Sequence, residues 1–312
     1  MPFSLGLSPM IIRFVARKLK RKLLPIVLLI CLVPLQLLGG CSTTANVHSW
    51  QAQKSRINPH IYVSEADQIL FPPQEQTDAI RRTFDKSVKE CMSRKGYETQ
   101  EVSGLLGIED ENSIENVYSF LPEDKAMKYG LAAPGFRESK KTSDLNQTVA
   151  KPEGYDKTLF GTESGEYIAN SCYGKAISAV FPNLDRTEEI RQVVRNISLE
   201  ASRLVDAKRI EAEKGWGECM KGKGFGQFKT ISGLGSPKGD TNIEEGWPDK
   251  LTLPEIKVAQ ASSKCMIETG YLETVSKAQA IAAHKLIQRK PGLLTEWQKL
   301  QKQQYEASKH VS

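Results

Sequence analysis

The chain has 312 residues, of which 39% are apolar and 26% charged, and its formal net charge is +6. This composition excludes a disordered or fibrous polymer and reads as globular. The excess charge is confined to Arg13, Arg17, Lys18, Lys20, Arg21 and Lys22, and the rest holds 37 basic and 37 acidic residues, so a nucleic-acid partner or a polybasic membrane patch has no support.

The basic stretch is followed by an apolar run, Leu23–Leu38, broken by Pro25, Pro34 and Gln36, and then by Gly39, Gly40 and Cys41. The run is about 16 residues, short of the roughly 20 that a bilayer core needs. A basic region, a short apolar region and small residues before a cut site predict a secretory signal over residues 1–40. Leu38-Gly39-Gly40-Cys41 resembles the bacterial lipoprotein signal, in which the Cys becomes the first mature residue. The resemblance implies a diacylglyceryl thioether on Cys41 and a fatty acyl chain on its amine. Two or more chains anchor stably where one is marginal. The expected location is therefore the cell membrane, lipid-anchored on the extracytoplasmic face. Residues 41–62, rich in Ser, Thr, Asn and Gln, read as a tether. His48 and His60 fall there and read as solvated.

Six Cys become four once Cys31 leaves with the signal and Cys41 is acylated. An even set outside the cytoplasm predicts disulfides, and four Cys allow three connectivities. A zinc site would need closer Cys or His spacing than Cys219 to Cys265. No metal and no cofactor is therefore expected.

In chain order, Pro72-Pro73 precede a helix from about Glu75 to Lys95, with Ile80, Phe84, Val88, Cys91 and Met92 on one face. Residues 97–160 are rich in Gly and Pro, and short strands after Tyr97 and a helical turn near Leu121–Tyr129 are expected. A second helix is predicted from Gly165 to Phe181, capped by Ser164, with Ile168, Cys172, Ala176 and Val180 inward. Pro182-Asn183 breaks the chain before one long helix, Arg186 to Lys223, whose Trp216 would cover the nearby cysteine. Residues 226–251 are a Gly-rich connection. Its Gly233-Leu234-Gly235 lacks the flanks of a phosphate cradle. Thr252 then caps a helix ending at Gly270, Leu272 to Arg289 continues as helix, and Leu293, Leu294, Trp297 and Leu300 open a final amphipathic one. His284 reads as a surface or boundary residue.

One motif recurs: Cys91-Met92 with Gly96-Tyr97, Cys219-Met220 with Gly224-Phe225, and Cys265-Met266 with Gly270-Tyr271. Cys, Met, three residues, Gly and an aromatic describe a helix ending. Gly96, Gly224 and Gly270 take the left-handed C-cap position, and the aromatic packs on the Met. Two halves follow, 63–183 and 184–312, forming two domains or one continuous one. Each has such an ending, a Gly/Pro-rich connection and a second Cys-bearing helix. This favours pairing within halves, Cys91 with Cys172 and Cys219 with Cys265. The predicted fold is mainly α, two Cys-pinned helical halves with long loops and a few short strands.

The blocks Tyr155-Asp-Lys-Thr-Leu-Phe-Gly161, Ser171-Cys172-Tyr173-Gly174-Lys-Ala176, Trp216-Gly-Glu-Cys-Met220, Thr269-Gly-Tyr-Leu-Glu-Thr274 and Pro291-Gly-Leu-Leu-x-Glu-Trp297 resemble secreted and lipid-anchored proteins of actinobacteria. The resemblance implies the compartment and a helical, Cys-paired body. It brings no activity with it. In a cell with two membranes, Ser42 after the lipid-bearing Cys leaves both membranes open as destinations.

No nucleophile, base or cofactor motif stands out, so no catalytic residue is assigned. The first expectation is a non-enzymatic envelope lipoprotein that binds a protein, glycan or peptide. An alternative is a cell-wall glycan hydrolase using a carboxylate pair, Asp110/Glu111 or Glu163/Glu166. A third is a structural spacer at the membrane.

Overall fold

The computed structural model describes residues 50–99, 102–131, 152–162, 168–235 and 251–309. Its contacts group Ala52–Ser312 as one unit. Residues 1–40, Cys41, His48, Glu163, Ser164 and Glu166 lie outside the described residues.

The unit opens with a hairpin rather than with tether. Strands β1 (Gln53–Lys54) and β2 (Tyr62–Val63) pair antiparallel, Lys54 opposite Tyr62. Ile61 is fully buried, and the Tyr62 N–H donates to Ser276 Oγ at 3.0 Å. The expected tether therefore gives way to folded chain within residues 53–62. Two-residue strands around a polar loop leave almost no alternation to read.

Helix α1 (Glu65–Leu70) starts at a capping box. Ser64 Oγ accepts from the Asp67 N–H, and the Asp67 carboxylate accepts from the Ser64 N–H. Pro73 leads into α2 (Gln74–Ser93), which buries Ile80, Phe84, Val88 and Met92 at fourfold spacing. Each such side chain contributes about 1.5–3 kcal/mol when fully buried. Short helical pieces follow: turns at Ser103–Leu106 and Glu111–Ser113, α3 (Ile114–Val117), α4 (Glu123–Tyr129) and α5 (Tyr155–Phe160). No strand occurs between 102 and 160 among the described residues. Side chains hold this backbone where a ladder was expected. Asp85 accepts from the Val102 and Ser103 N–H groups, and Arg81 donates to the Ile108 carbonyl.

Helix α6 (Cys172–Val180) is shorter than the predicted 165–181. Its cap is Ser171, whose Oγ accepts from the Gly174 N–H at 3.0 Å. Ile168 precedes the helix and is 48% exposed, so it is not part of the inward stripe. The predicted long helix is two, α7 (Leu184–Leu204) and α8 (Asp206–Gly222), broken at Val205 with φ −104° and ψ 7°. Asp206 opens α8 and binds Arg209 at 2.6 Å, a favourable place for an acid at a helix start. The break lets the two apolar stripes serve different cores. Thr252 caps α9 (Leu253–Glu268), followed by α10 (Tyr271–Ile287) and α11 (Leu293–Lys309).

Cys91 pairs with Cys172 and Cys219 with Cys265. At Gly96 (φ 84°) the Tyr97 N–H returns to the Met92 carbonyl and the Gly96 N–H to Ser93. Gly224 (φ 88°) repeats this with Phe225 on Met220 and Gly224 on Lys221. Both are Schellman endings. At Gly270 (φ 66°) the N–H returns to Ile267, and the chain re-enters helix at once with Tyr271.

Three cores result. The first surrounds Cys91–Cys172 and holds Phe84, Met92, Tyr173 and Val180. A second surrounds Cys219–Cys265 and holds Trp216, Met220, Phe228 and Met266, with the Trp216 indole N–H on the Ser262 carbonyl at 3.3 Å. Between them α1, α7, α10 and α11 bury Ile69, Ile190, Val194, Leu286 and Trp297 in a core without a disulfide. Among the described residues no helix is long and apolar enough to cross a membrane.

Candidate functional site

The hairpin, α1 and α11 converge over the middle core and leave a cleft of about 510 Å³. Its apolar lining comes from Val63, Ile69, Phe71, Ile114, Leu294 and Trp297. Five glutamines, Gln53, Gln68, Gln76, Gln298 and Gln301, share the lining with them. Three of these, Gln53, Gln68 and Gln298, are exposed and the other two half-buried. The charges at the rim are matched. Lys54 pairs with Glu273 at 3.6 Å, and Arg56 with Glu111 at 3.3 Å. A primary amide both donates and accepts and carries no charge. The cleft thus offers neutral hydrogen bonding over an apolar wall.

Asp67, the acid of the α1 capping box, forms part of the same lining. Asp67 is 3% exposed and accepts from the Ser64 N–H and hydroxyl, each at 2.7 Å. Burial pushes its carboxyl above the usual range, and the Ser64 hydrogen bonds oppose that rise. Tyr118 lies near it. Burial, with Asp67 and Tyr271 adding, pushes the Tyr118 hydroxyl well up, and among the described residues that hydroxyl has no hydrogen-bond partner. Glu65 contributes one oxygen to His284, whose Nδ1 is 2.9 Å away.

His60 is not a solvated tether residue. Its Nδ1 lies 3.2 Å from Glu273, and the His60 backbone N–H donates to Asn58 Oδ1. His284 is 17% exposed in its side chain, at the boundary between α10 and α1. The carboxylates of Asp110 and Glu111 are engaged separately. Asp110 accepts from the Asn112 N–H and from Arg81, Glu111 from Arg56 and from the Gln74 N–H. These are capping and ion-pairing roles. Gly233-Leu234-Gly235 sits in a single turn, Ser232–Gly235.

The sequence reading missed three buried glutamates that hold loops. Glu115 accepts from Asn58 Nδ2 at 3.0 Å and Lys125 at 2.8 Å. Glu213 accepts from the Ile231 N–H at 3.1 Å, and Glu255 from the Leu131 N–H at 3.0 Å. A carboxylate that accepts backbone N–H groups satisfies donors that no ladder reaches. The signal for Glu213 was present, since it falls three residues before Trp216 on the buried side of α8.

No protein-family model matches the chain, and no curated protein or solved structure matches it either.

Proposed function

We propose that this is an extracytoplasmic envelope lipoprotein of the actinobacterial type, anchored through lipid on Cys41, that binds a neutral, hydroxyl- or amide-rich polymer, glycan or peptide, without reacting with it. The observation that carries this reading is the cleft between the hairpin, α1 and α11, with five glutamines and an apolar wall. Uncharged chains of sugars or peptide bonds present alternating donors and acceptors, which amides pair without desolvating a charge. Apolar faces of such ligands pack on Phe71 and Leu294. The basic signal ahead of Cys41 and the two disulfides suit an exported, oxidised protein. The matched rim charges, Lys54 with Glu273 and Arg56 with Glu111, disfavour a strongly ionic ligand.

The test uses the full-length protein purified in detergent from an exporting host and titrated calorimetrically with soluble cell-wall glycan fragments and with their peptide stems. Saturable binding of one of these is expected. Two lost amide contacts at about 0.5–1.5 kcal/mol each predict roughly tenfold weaker binding by Gln68→Ala/Gln298→Ala. Absence of binding to both classes, or equal binding by wild type and variant, contradicts the proposal.

A further inference from the structure

The second disulfide has a carboxylate beside it. Cys219 lies in the last turn of α8 and Cys265 in the last turn of α9. Glu268 places Oε2 3.5 Å from Cys219 Sγ. The two sulfurs and a Glu268 oxygen all fall within 4.8 Å of one another, the one such convergence of three ligand atoms among the described residues. Lys223 Nζ holds the same carboxylate at 3.0 Å. Cys265 is fully buried, Cys219 is half-buried and the Glu268 side chain is 54% exposed, so the corner opens to solvent on one side.

We propose that reduction of Cys219–Cys265 converts this corner into a binding site for a thiophilic divalent cation of the Zn²⁺ class. A dithiol reductant delivers two electrons and two protons, breaks the S–S bond and leaves as its own cyclic disulfide. Cys219 and Cys265 are then thiols. The cation displaces both thiol protons into solvent and takes two thiolates and the Glu268 carboxylate, with a water as fourth ligand. Metal–sulfur bonds of about 2.3 Å and metal–oxygen bonds of about 2.1 Å set tetrahedral ligand atoms about 3.6–3.8 Å apart. The Sγ to Oε2 separation of 3.5 Å already matches. Two thiolates, a carboxylate and a dication leave one negative charge in excess, and the Lys223 ammonium beside Glu268 offsets it. The staple and the cation exclude each other, because each uses both sulfurs.

The full-length protein is reduced with dithiothreitol, desalted without oxygen and titrated with Co²⁺, whose thiolate complexes absorb strongly. A sulfur-to-cobalt charge-transfer band saturating at one equivalent is expected for the reduced protein and none for the oxidised one. Glu268→Gln, at an exposed position, weakens binding about tenfold or more. Cys219→Ser/Cys265→Ser, which keeps Cys91 and Cys172, abolishes the band. A missing band after reduction, a band that survives in the double variant, or unchanged affinity in Glu268→Gln overturns the proposal. So does loss of the helical dichroism signal on reduction, because the site needs α8 and α9 to stay paired.

Discussion

Glu65 and His284 are 219 positions apart in the chain and 2.9 Å apart in the fold, Oε1 to Nδ1. The contact ties α1 to α10 beside the cleft, in a core that no disulfide braces. The second oxygen of Glu65 is buried and lacks a hydrogen-bond partner among the described residues. His284→Ala would leave the first oxygen without its imidazole partner as well. The expected loss is about 1–3 kcal/mol of stability, read from urea unfolding. His284→Gln, which restores a donor, recovers part of it. Equal midpoints for wild type and His284→Ala would show the pair to be idle.

Asp67 makes stability depend on pH with a definite sign. Burial raises its carboxyl above the ordinary 3.8, so the folded chain holds the proton more tightly than the unfolded chain does. Its contribution is fully present below 3.8 and is lost as pH rises through the higher folded value. Asp67→Asn is neutral throughout and still accepts from Ser64. Thermal melts are expected to show the wild type losing ground to Asp67→Asn as pH rises, until the folded carboxyl has ionised. A pH-independent difference contradicts this.

Two neighbouring glycines separate conformation from space. A Cβ at Gly222 or at Gly224 would meet nothing within 4 Å, but Gly224 alone of the two has positive φ, at 88°. Gly224→Ala is expected to destabilise by about 1–2 kcal/mol, the cost of a left-handed backbone with Cβ. Gly222→Ala, at the end of α8, is expected to stabilise by up to about 1 kcal/mol. Chemical denaturation of both variants checks the contrast in sign.

The two bridges close loops of similar entropic weight. Their sequence separations are 81 and 46 residues. Chain entropy gives about 4.5 and 4.0 kcal/mol for these lengths, within a typical range of about 2–5. Cys91→Ser/Cys172→Ser and Cys219→Ser/Cys265→Ser should therefore destabilise comparably in guanidinium titrations. A loss below about 1 kcal/mol for either would place it outside this account.

The helices and their endings were legible because their signals are local. Met92, Gly96 and Tyr97 fall within six consecutive residues, and so do Met220, Gly224 and Phe225. The fourfold spacing of Ile80, Phe84, Val88 and Met92 likewise needs no tertiary knowledge. The break at Val205 was hidden, because no Gly or Pro marks it and the apolar pattern continues from Ala201 to Ala212. The sequence suggests Ser164 as the cap, but the structure starts α6 after Ser171, where Cys172 and Tyr173 are buried. The cleft was not legible at all. No local signal sets Gln68, Gln76 or Gln298 apart, and tertiary packing of α1 against the α11 end brings them around one hollow. The hairpin escaped for the same reason, since Tyr62 gains its partner from Ser276, far along the chain.

The central claim, that the cleft beside α1 takes a neutral envelope polymer, is tested most directly by photocrosslinking in intact cells. A photoreactive side chain replaces the exposed Gln68 in one strain and the exposed Lys208, remote in sequence and outside the cleft, in another. After irradiation and digestion, mass spectrometry is expected to find a glycan or peptide adduct at position 68 and none at position 208. Adducts of equal yield at both positions, or none at position 68, would contradict the account.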